Sequence, residues 1–315
     1  MAIFAKGVCS SVVLLGVSGI FGATVIGTQI FGRDNTGKPG PRFSNGYTIF
    51  YDRDQQSIVA YDSSGVIRTQ STLSLPDAAR IMINDVTASK LGTIAVSATA
   101  VSRDEQQVAF VLIWIRADGQ MERAVRTTPF GARKVAFDDN GHLWAFGLLQ
   151  NEHRRTVAEH DTLREYDAQG VLVQSTLPRS QFTNCSAHPA GRSALLVSNG
   201  SRLGVYSQDC QAYIELTPSG QFIAGWNLLP LGTVKIAFGG LSSSGTFYWG
   251  GFDSGDGSSP GRAVVYRLDR ASGSLVPVEL PDGAASTTML TLLGVENEDL
   301  VFYGKPSSII RIRLD

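Results

Sequence analysis

This chain is short of helix signals, of charge excess and of the residues from which metal and nucleophile sites are built, and each shortage removes a class of function. No segment of its 315 residues carries apolar side chains at a sustained 3.6-residue period, which excludes a helical bundle or a doubly wound α/β enzyme. Pro76 to Met82 and Asn151 to Leu163 offer at most a helical turn each. Lys and Arg number 27 against 28 Asp and Glu, and without residues 1–33 the balance is 25 against 28, or −3. No basic stripe emerges, so no nucleic-acid partner is expected. Four histidines and three cysteines are too scattered for a zinc site. His-Glu-x-x-His is absent, and the string Gly257 to Gly261 that matches Gly-x-Ser-x-Gly falls in a Gly/Ser-rich loop, which leaves no nucleophile elbow and no metalloprotease helix.

Glycine, by contrast, is plentiful and regularly placed. YDSSGVIRTQ, IRADGQMERA, EYDAQGVLVQ, LTPSGQFIAG and LDRASGSLVP share a turn whose glycines are Gly65, Gly119, Gly170, Gly220 and Gly273, separated by 54, 51, 50 and 53 residues. A second series, out of phase with the first, has turn positions Gly92, Gly141, Gly191, Gly245 and Asn297, separated by 49, 50, 54 and 52. Two interleaved hairpins per period of about 50 residues make four strands per unit, the arrangement of a β-propeller blade. The strands are rich in Val, Ile, Phe, Tyr and Trp and bounded by turn formers, as an antiparallel meander requires. Lettering the strands A to D from the axis outward, the Gly141 series marks A–B turns and the Gly65 series C–D turns. The units run 44–80, 81–131, 132–182, 183–232, 233–285 and 286–315. The fold class is therefore all-β, a single propeller of six four-stranded blades, with five or seven blades as the alternatives. Trp114, Trp144, Trp226 and Trp249 recur in strand positions and read as packing between blades.

The chain stops at Asp315, in register with Asp62, Asp167 and Asp269, just where a C–D turn should begin. The last blade thus lacks its outer strand, and a segment within Asp34 to Ser44 is expected to supply it, since closing a ring removes exposed edges.

The N-terminus gives an address. Gly7 to Gly32 carries no charge, long enough for a membrane span and longer than the apolar part of an ordinary leader. Residues 1–33 are accordingly read as a signal peptide or N-terminal membrane anchor, and 34–315 as the propeller, placed outside the cytoplasm in the periplasm, at the cell surface or secreted. Cys185 falls in a D–A connection and Cys210 in a B–C connection. These lie on one face of the ring, so a disulfide is geometrically open to them and would suit an oxidising compartment; two buried thiols are the alternative.

Aligning the inner strands puts Asp85, Lys134, Asn184, Lys235 and Thr288 at equivalent positions, a candidate polar ring at the channel rim. Arg133 neighbours Lys134, and alternation lets one of the two face the axis. The loop Asn151 to Thr162 carries His153, Arg154, His160 and Asp161, a set that could hold a metal or move a proton, or form a solvated loop whose charges satisfy one another. His142 and His188 sit beside turns and read as structural. Phe252 to Gly261 has aspartates spaced somewhat as in a calcium loop, without the later Glu. No cofactor is expected, with a divalent metal such as calcium as the alternative.

Val135 to Gly147, VAFDDNGHLWAFG, resembles the inner hairpin of six-bladed propellers in the broad group of NHL-repeat proteins and the gluconolactonase and regucalcin family. The resemblance implies ligand binding at the channel mouth. In the gluconolactonase group it further implies a divalent metal held by an acidic residue of the first blade and by Asn and Asp of later ones; among the blade starts, Asp85 and Asn184 are of that type. The leading expectation is a non-catalytic extracytoplasmic propeller that binds a protein, peptide or small-molecule ligand at the rim and meets membrane only through its N-terminal segment. A metal-dependent hydrolase, lactonase or lyase with its site in the channel is the alternative, and an architectural module of an envelope assembly is the third.

Overall fold

The structure is a computed structural model that describes residues 23–30, 41–52, 54–105, 107–183, 185–191, 193–228, 234–253, 262–281, 290–304 and 308–314. These residues form six four-stranded antiparallel sheets arranged as the blades of a propeller. Strand β1 (Ala23–Ile30) belongs to the sheet of the last blade. Blade 1 holds β2 (Arg42–Ser44), β3 (Tyr47–Asp52), β4 (Ser57–Tyr61) and β5 (Ile67–Thr72). Blade 2 holds β6 (Ala78–Ala88), β7 (Ile94–Ser102), β8 (Val108–Ile115) and β9 (Met121–Arg126). Blade 3 holds β10 (Phe130–Phe137), β11 (Leu143–Leu149), β12 (Asp161–Tyr166) and β13 (Leu172–Pro178), and blade 4 holds β14 (Leu195–Ser198), β15 (Leu203–Ser207), β16 (Ala212–Leu216) and β17 (Phe222–Asn227). Blade 5 follows with β18 (Val234–Leu241), β19 (Phe247–Asp253), β20 (Arg262–Asp269) and β21 (Ser274–Pro277), and blade 6 with β22 (Thr291–Glu296), β23 (Asp299–Gly304) and β24 (Ser308–Leu314). The helical turns offered by Pro76 to Met82 and Asn151 to Leu163 do not form: β6 already begins at Ala78, and the loop before β12 is irregular.

Burial follows strand position. The second and third strands of a blade, such as β7 and β8, are buried on both sides because neighbouring blades cover them, whereas the outer strands β9 and β17 alternate between exposed and half-buried residues. The five C–D turn glycines all have φ between +70° and +84°. At Gly220 and Gly273 a side chain is excluded twice over: besides the left-handed backbone, a Cβ would stand 3.0 Å from Trp144 and 2.9 Å from Trp226 of the preceding blade. Acidic side chains close these turns, as where Asp167 Oδ1 accepts the N–H groups of Gln169 and Val171.

The A–B series holds in blades 2, 3, 5 and 6, where Gly92, Gly141, Gly245 and Asn297 have positive φ between paired strands. Blade 4 corrects it. Gly191 lies in the connection before β14, and the turn between β14 and β15 contains Gly200 at φ +86°. The small and polar stretch around Gly191 imitates a hairpin turn, but its flanks are taken by a 3-10 turn at Arg179–Gln181 and by the linkage Cys185–Cys210, and the inner strand starts only at Leu195.

Ring closure is also relocated. The outer strand of blade 6 is β1, antiparallel to β24 from Ala23↔Leu314 to Ile30↔Ser308. It comes from inside the apolar run and not from Asp34 to Ser44, because Arg42–Ser44 is already committed as the inner strand of blade 1, turning at Asn45 and Gly46 into β3. Among the described residues no helix is long and apolar enough to cross a membrane. Six buried apolar clusters then sit one at each seam; the one uniting Phe50, Val59 and Tyr61 with Leu293, Val301 and Ile309 joins blade 1 to blade 6. Trp114 and Trp144 pack in two of these seams as buried side chains.

Candidate functional site

The inner strands converge on a cavity of ≈ 430 Å³ lined by residues of all six blades and opening toward the A–B turns. Its deepest charge is Asp85, 3 % exposed. Oδ2 of Asp85 accepts the N–H of Val135 at 3.1 Å, and Oδ1 meets Arg42 Nη2 at 2.6 Å. That second contact is an ion pair without hydrogen-bond alignment, so Oδ1 has no hydrogen-bond partner among the described residues. Arg42 in turn lies over the ring of Phe238 at 5.2 Å. Nearer the mouth, Glu296 is paired with Arg311 at 2.7 Å. The charges of the channel are thus compensated within the protein, and Ser44, Thr87, Ser198, Asn199 and Asn297 add neutral polar groups to a wall that is more polar than apolar.

The remaining rim candidates separate. A β-bulge precedes Asp85 in β6, Lys134 in β10, Phe238 in β18 and Gly294 in β22. Counted by cross-strand partner, the residues level with Asp85 are therefore Lys134, Leu195, Phe238 and Gly294, and Lys235 pairs three residues earlier, with Phe252. Lys134 is buried. Arg133 occupies the bulge itself. Lys235 is described as backbone only, and Asn184 and Thr288 lie outside the described residues. An aligned sequence hides such bulges, since one extra residue leaves the apolar pattern intact. This donor set does not fit the channel metal that the gluconolactonase resemblance implies: Asp85 is neutralised by Arg42, and its level neighbours offer an ammonium, two apolar side chains and a glycine.

The loop candidates also part company. His153 is exposed and faces Glu152 at 3.4 Å, Arg154 is an exposed residue at φ +59°, and Asp161 opens β12. His160 turns inward and stacks on His188, ring centroids 5.3 Å apart. Its Nδ1–H donates to the Val157 carbonyl at 2.9 Å while Nε2 accepts from Leu149 N–H at 3.2 Å; His188 Nδ1 accepts from Ala190 N–H at 3.0 Å. These contacts fix both tautomers, leaving His188 Nε2–H to donate to His160 Nε2 at 3.3 Å, a chain that exists only between neutral rings. Burial, the neighbouring His160, and Arg179 and Arg133 hold His188 down at about 4, and burial lowers His160 as well. The disulfide Cys185–Cys210 forms on the same face and closes across 25 residues.

Sequence reasoning passed over a third group. Ligand atoms of Asp138, His142 and Glu165 lie within 4.8 Å of one another. Asp138 Oδ1 is spent on the turn, accepting from Asn140 and His142 N–H, whereas Glu165 is buried between His142 Nδ1 and Gln174 Nε2, each at 2.5 Å. The signal available in sequence was Glu165 itself, a charged residue in the third strand of a blade, where both faces are covered.

No family model matches the chain, and no curated protein matches it. Solved structures do. A "Putative exported protein" of Bacteroides fragilis NCTC 9343 superposes with a TM-score of 0.55 at 10 % identity, covering 93 % of this chain and 95 % of that one. The luciferin-regenerating enzyme gives 0.51 at 11 % identity over 93 % and 95 %, and a member of the duf4221 family from Bacteroides vulgatus ATCC 8482 gives 0.51 at 12 % over 93 % and 99 %. At such identities the likeness is one of fold: this chain is similar to propellers that include an enzyme, and membership of the NHL or gluconolactonase groups does not follow from it.

Proposed function

We propose that this chain is a non-catalytic, extracytoplasmic propeller that binds a small hydrogen-bonding ligand at the mouth of its central channel. The observation that carries the reading is the ≈ 430 Å³ cavity framed by all six inner strands, with the Arg42–Asp85 pair in its wall and Ser44, Ser198, Asn199 and Asn297 as neutral polar groups around it. Because the charges lining the cavity are already paired, the reading favours a neutral ligand, such as a saccharide, polyol or short peptide segment, over an ion. The Cys185–Cys210 linkage supports an oxidising compartment, the exported name of one structural neighbour points the same way, and a leader or anchor ahead of Ala23 would deliver the chain there.

The test is a calorimetric and thermal-shift screen of soluble saccharides, polyols and di- and tripeptides. Binding that Ser198→Trp abolishes supports the reading. Ligands that bind equally well to this variant would sink it. The enzymatic alternative rests on Asp138, His142 and Glu165, the described group whose chemistry suits a divalent ion. Its test is metal analysis together with the effect of a chelator on unfolding.

A further inference from the structure

The exposed large hydrophobic side chains are not scattered. Among the described residues all of them except Met82 lie on or just past the turns of one face, or near the start of the closing strand. Leu91 is 90 % exposed at the tip of the A–B turn of blade 2, and Val66 and Val171 sit in C–D turns. Ile67, Met121, Leu172 and Phe222 are each the first residue of an outer strand, paired with Tyr61, Ile115, Tyr166 and Leu216, and so occupy one repeated position in four successive blades. Alternation alone would expose polar residues there. Several charged neighbours on this rim are paired, Arg68 with Asp62 at 2.6 Å, Arg116 with Asp118 at 2.6 Å and Lys90 with Asp139 at 2.7 Å, while Asp167 beside Val171 accepts the turn's own N–H groups.

The chain outside the described residues enters at the same rim. Ala23 pairs with Leu314 as Ile67 pairs with Tyr61, so β1 starts on the face that carries these turns, and Gly7 to Gly22, without a charge, leads directly into it. We infer that this face, bearing the A–B and C–D turns, rests on a lipid bilayer, with Leu91, Val171 and Phe222 reaching into its interfacial layer. A ring of separate apolar tips on several blades suits a broad flat partner that meets them together; a protein ligand usually finds one contiguous patch. Paired charges let the rim approach zwitterionic lipid without stripping water from lone ions. The two proposals share a face, since the cavity opens toward the A–B turns, but their tests are read separately: the vesicle signal needs no ligand, and the calorimetric screen needs no lipid.

The test uses the full chain carrying Cys9→Ser, reconstituted with phosphatidylcholine vesicles that contain a headgroup-level quencher, with an environment-sensitive fluorophore placed by Leu91→Cys, Phe222→Cys or, on the opposite face, His153→Cys. Quenching of at least twofold at the first two sites with none at the third is expected. Equal darkness to the quencher at all three, or quenching at His153→Cys alone, overturns the proposal. So does a rim signal that responds to protein concentration in place of lipid, which would assign the rim to contact between copies. The three sites are exposed, and an unchanged unfolding midpoint verifies that each labelled chain is folded.

Discussion

Two seams of the ring solve one electrostatic problem in opposite ways. Glu165 in blade 3 and Glu215 in blade 4 are equivalent, each in the third strand just before the β-bulge that opens the C–D turn, and each is buried. Glu215 is held by two permanent cations, Arg202 at 2.9 Å from its own blade and Arg270 at 2.5 Å from the next. At the position equivalent to Arg202, immediately before the second strand, blade 3 has His142, and in place of a second cation it has the Gln174 amide, which also donates to Ser219 O of blade 4 at 3.0 Å. At its other end the seam of blades 3 and 4 carries the His160–His188 pair and the disulfide. The contrast teaches that a repeated fold keeps the position of a buried carboxylate while changing what compensates it: fixed charge at one seam, proton- and redox-dependent groups at its neighbour.

The comparison breaks most severely if the fixed charges go. Arg202→Met with Arg270→Met leaves the Glu215 carboxylate buried without a counterion, and a loss of about 3–5 kcal/mol in urea unfolding is expected. Adding Glu215→Leu should recover most of it, because a buried triad replaced by apolar groups of similar volume is commonly neutral or better. At the other seam, Cys185→Ala with Cys210→Ala, or reduction, should cost about 3 kcal/mol through the entropy of a loop of 25 residues. Hydrogen exchange should then rise first in β14 and β15. Exchange that rises uniformly around the ring would show that the linkage does not act on that seam.

A smaller effect separates the seams by pH. His188 is held near 4 in the fold against an ordinary value of 6.5, so the unfolded chain takes up a proton that the folded chain refuses. Stability should be complete above about pH 6.5, fall as pH drops toward about 4, and level off below, with the depressed His160 adding in the same direction. His188→Gln should remove most of this slope in unfolding midpoints measured across the window. A slope unchanged in that variant would place the titration elsewhere.

How much of this could be read beforehand depends on what each feature leaves in the sequence. Turns that demand positive φ leave glycines, and Gly65, Gly119, Gly170, Gly220 and Gly273 made blade number and strand phase legible. The disulfide was open to inference because a meander dictates which connections share a face. A β-bulge leaves no residue signature, so the ring level with Asp85 could not be aligned across blades, and Phe238 and Gly294 stand where a polar rim was expected. The closing strand was hidden in a run whose hydrophobicity equally suits a leader or a span; only the unpaired edge of β24 distinguishes Ala23–Ile30 as a strand. The histidine chain joins residues 28 apart through two connections of irregular backbone, for which periodicity carries no information.

The finest test exchanges only the charge of each carboxylate. Glu215→Gln keeps shape and hydrogen-bonding atoms but places a neutral amide between two guanidinium groups, whose repulsion is then uncompensated; both are about one-third exposed, so water screens part of the cost. Glu165→Gln meets no such surplus. His142 can carry its proton on Nδ1 and donate to the new amide oxygen, and the exchange removes a buried negative charge that has no permanent counterion. A change within about 1 kcal/mol is therefore expected for Glu165→Gln, of either sign, against a clear loss for Glu215→Gln. Equal losses in the two unfolding curves would mean that the carboxylates are held by hydrogen-bond geometry alone, and that the difference between fixed and titratable partners has no energetic content.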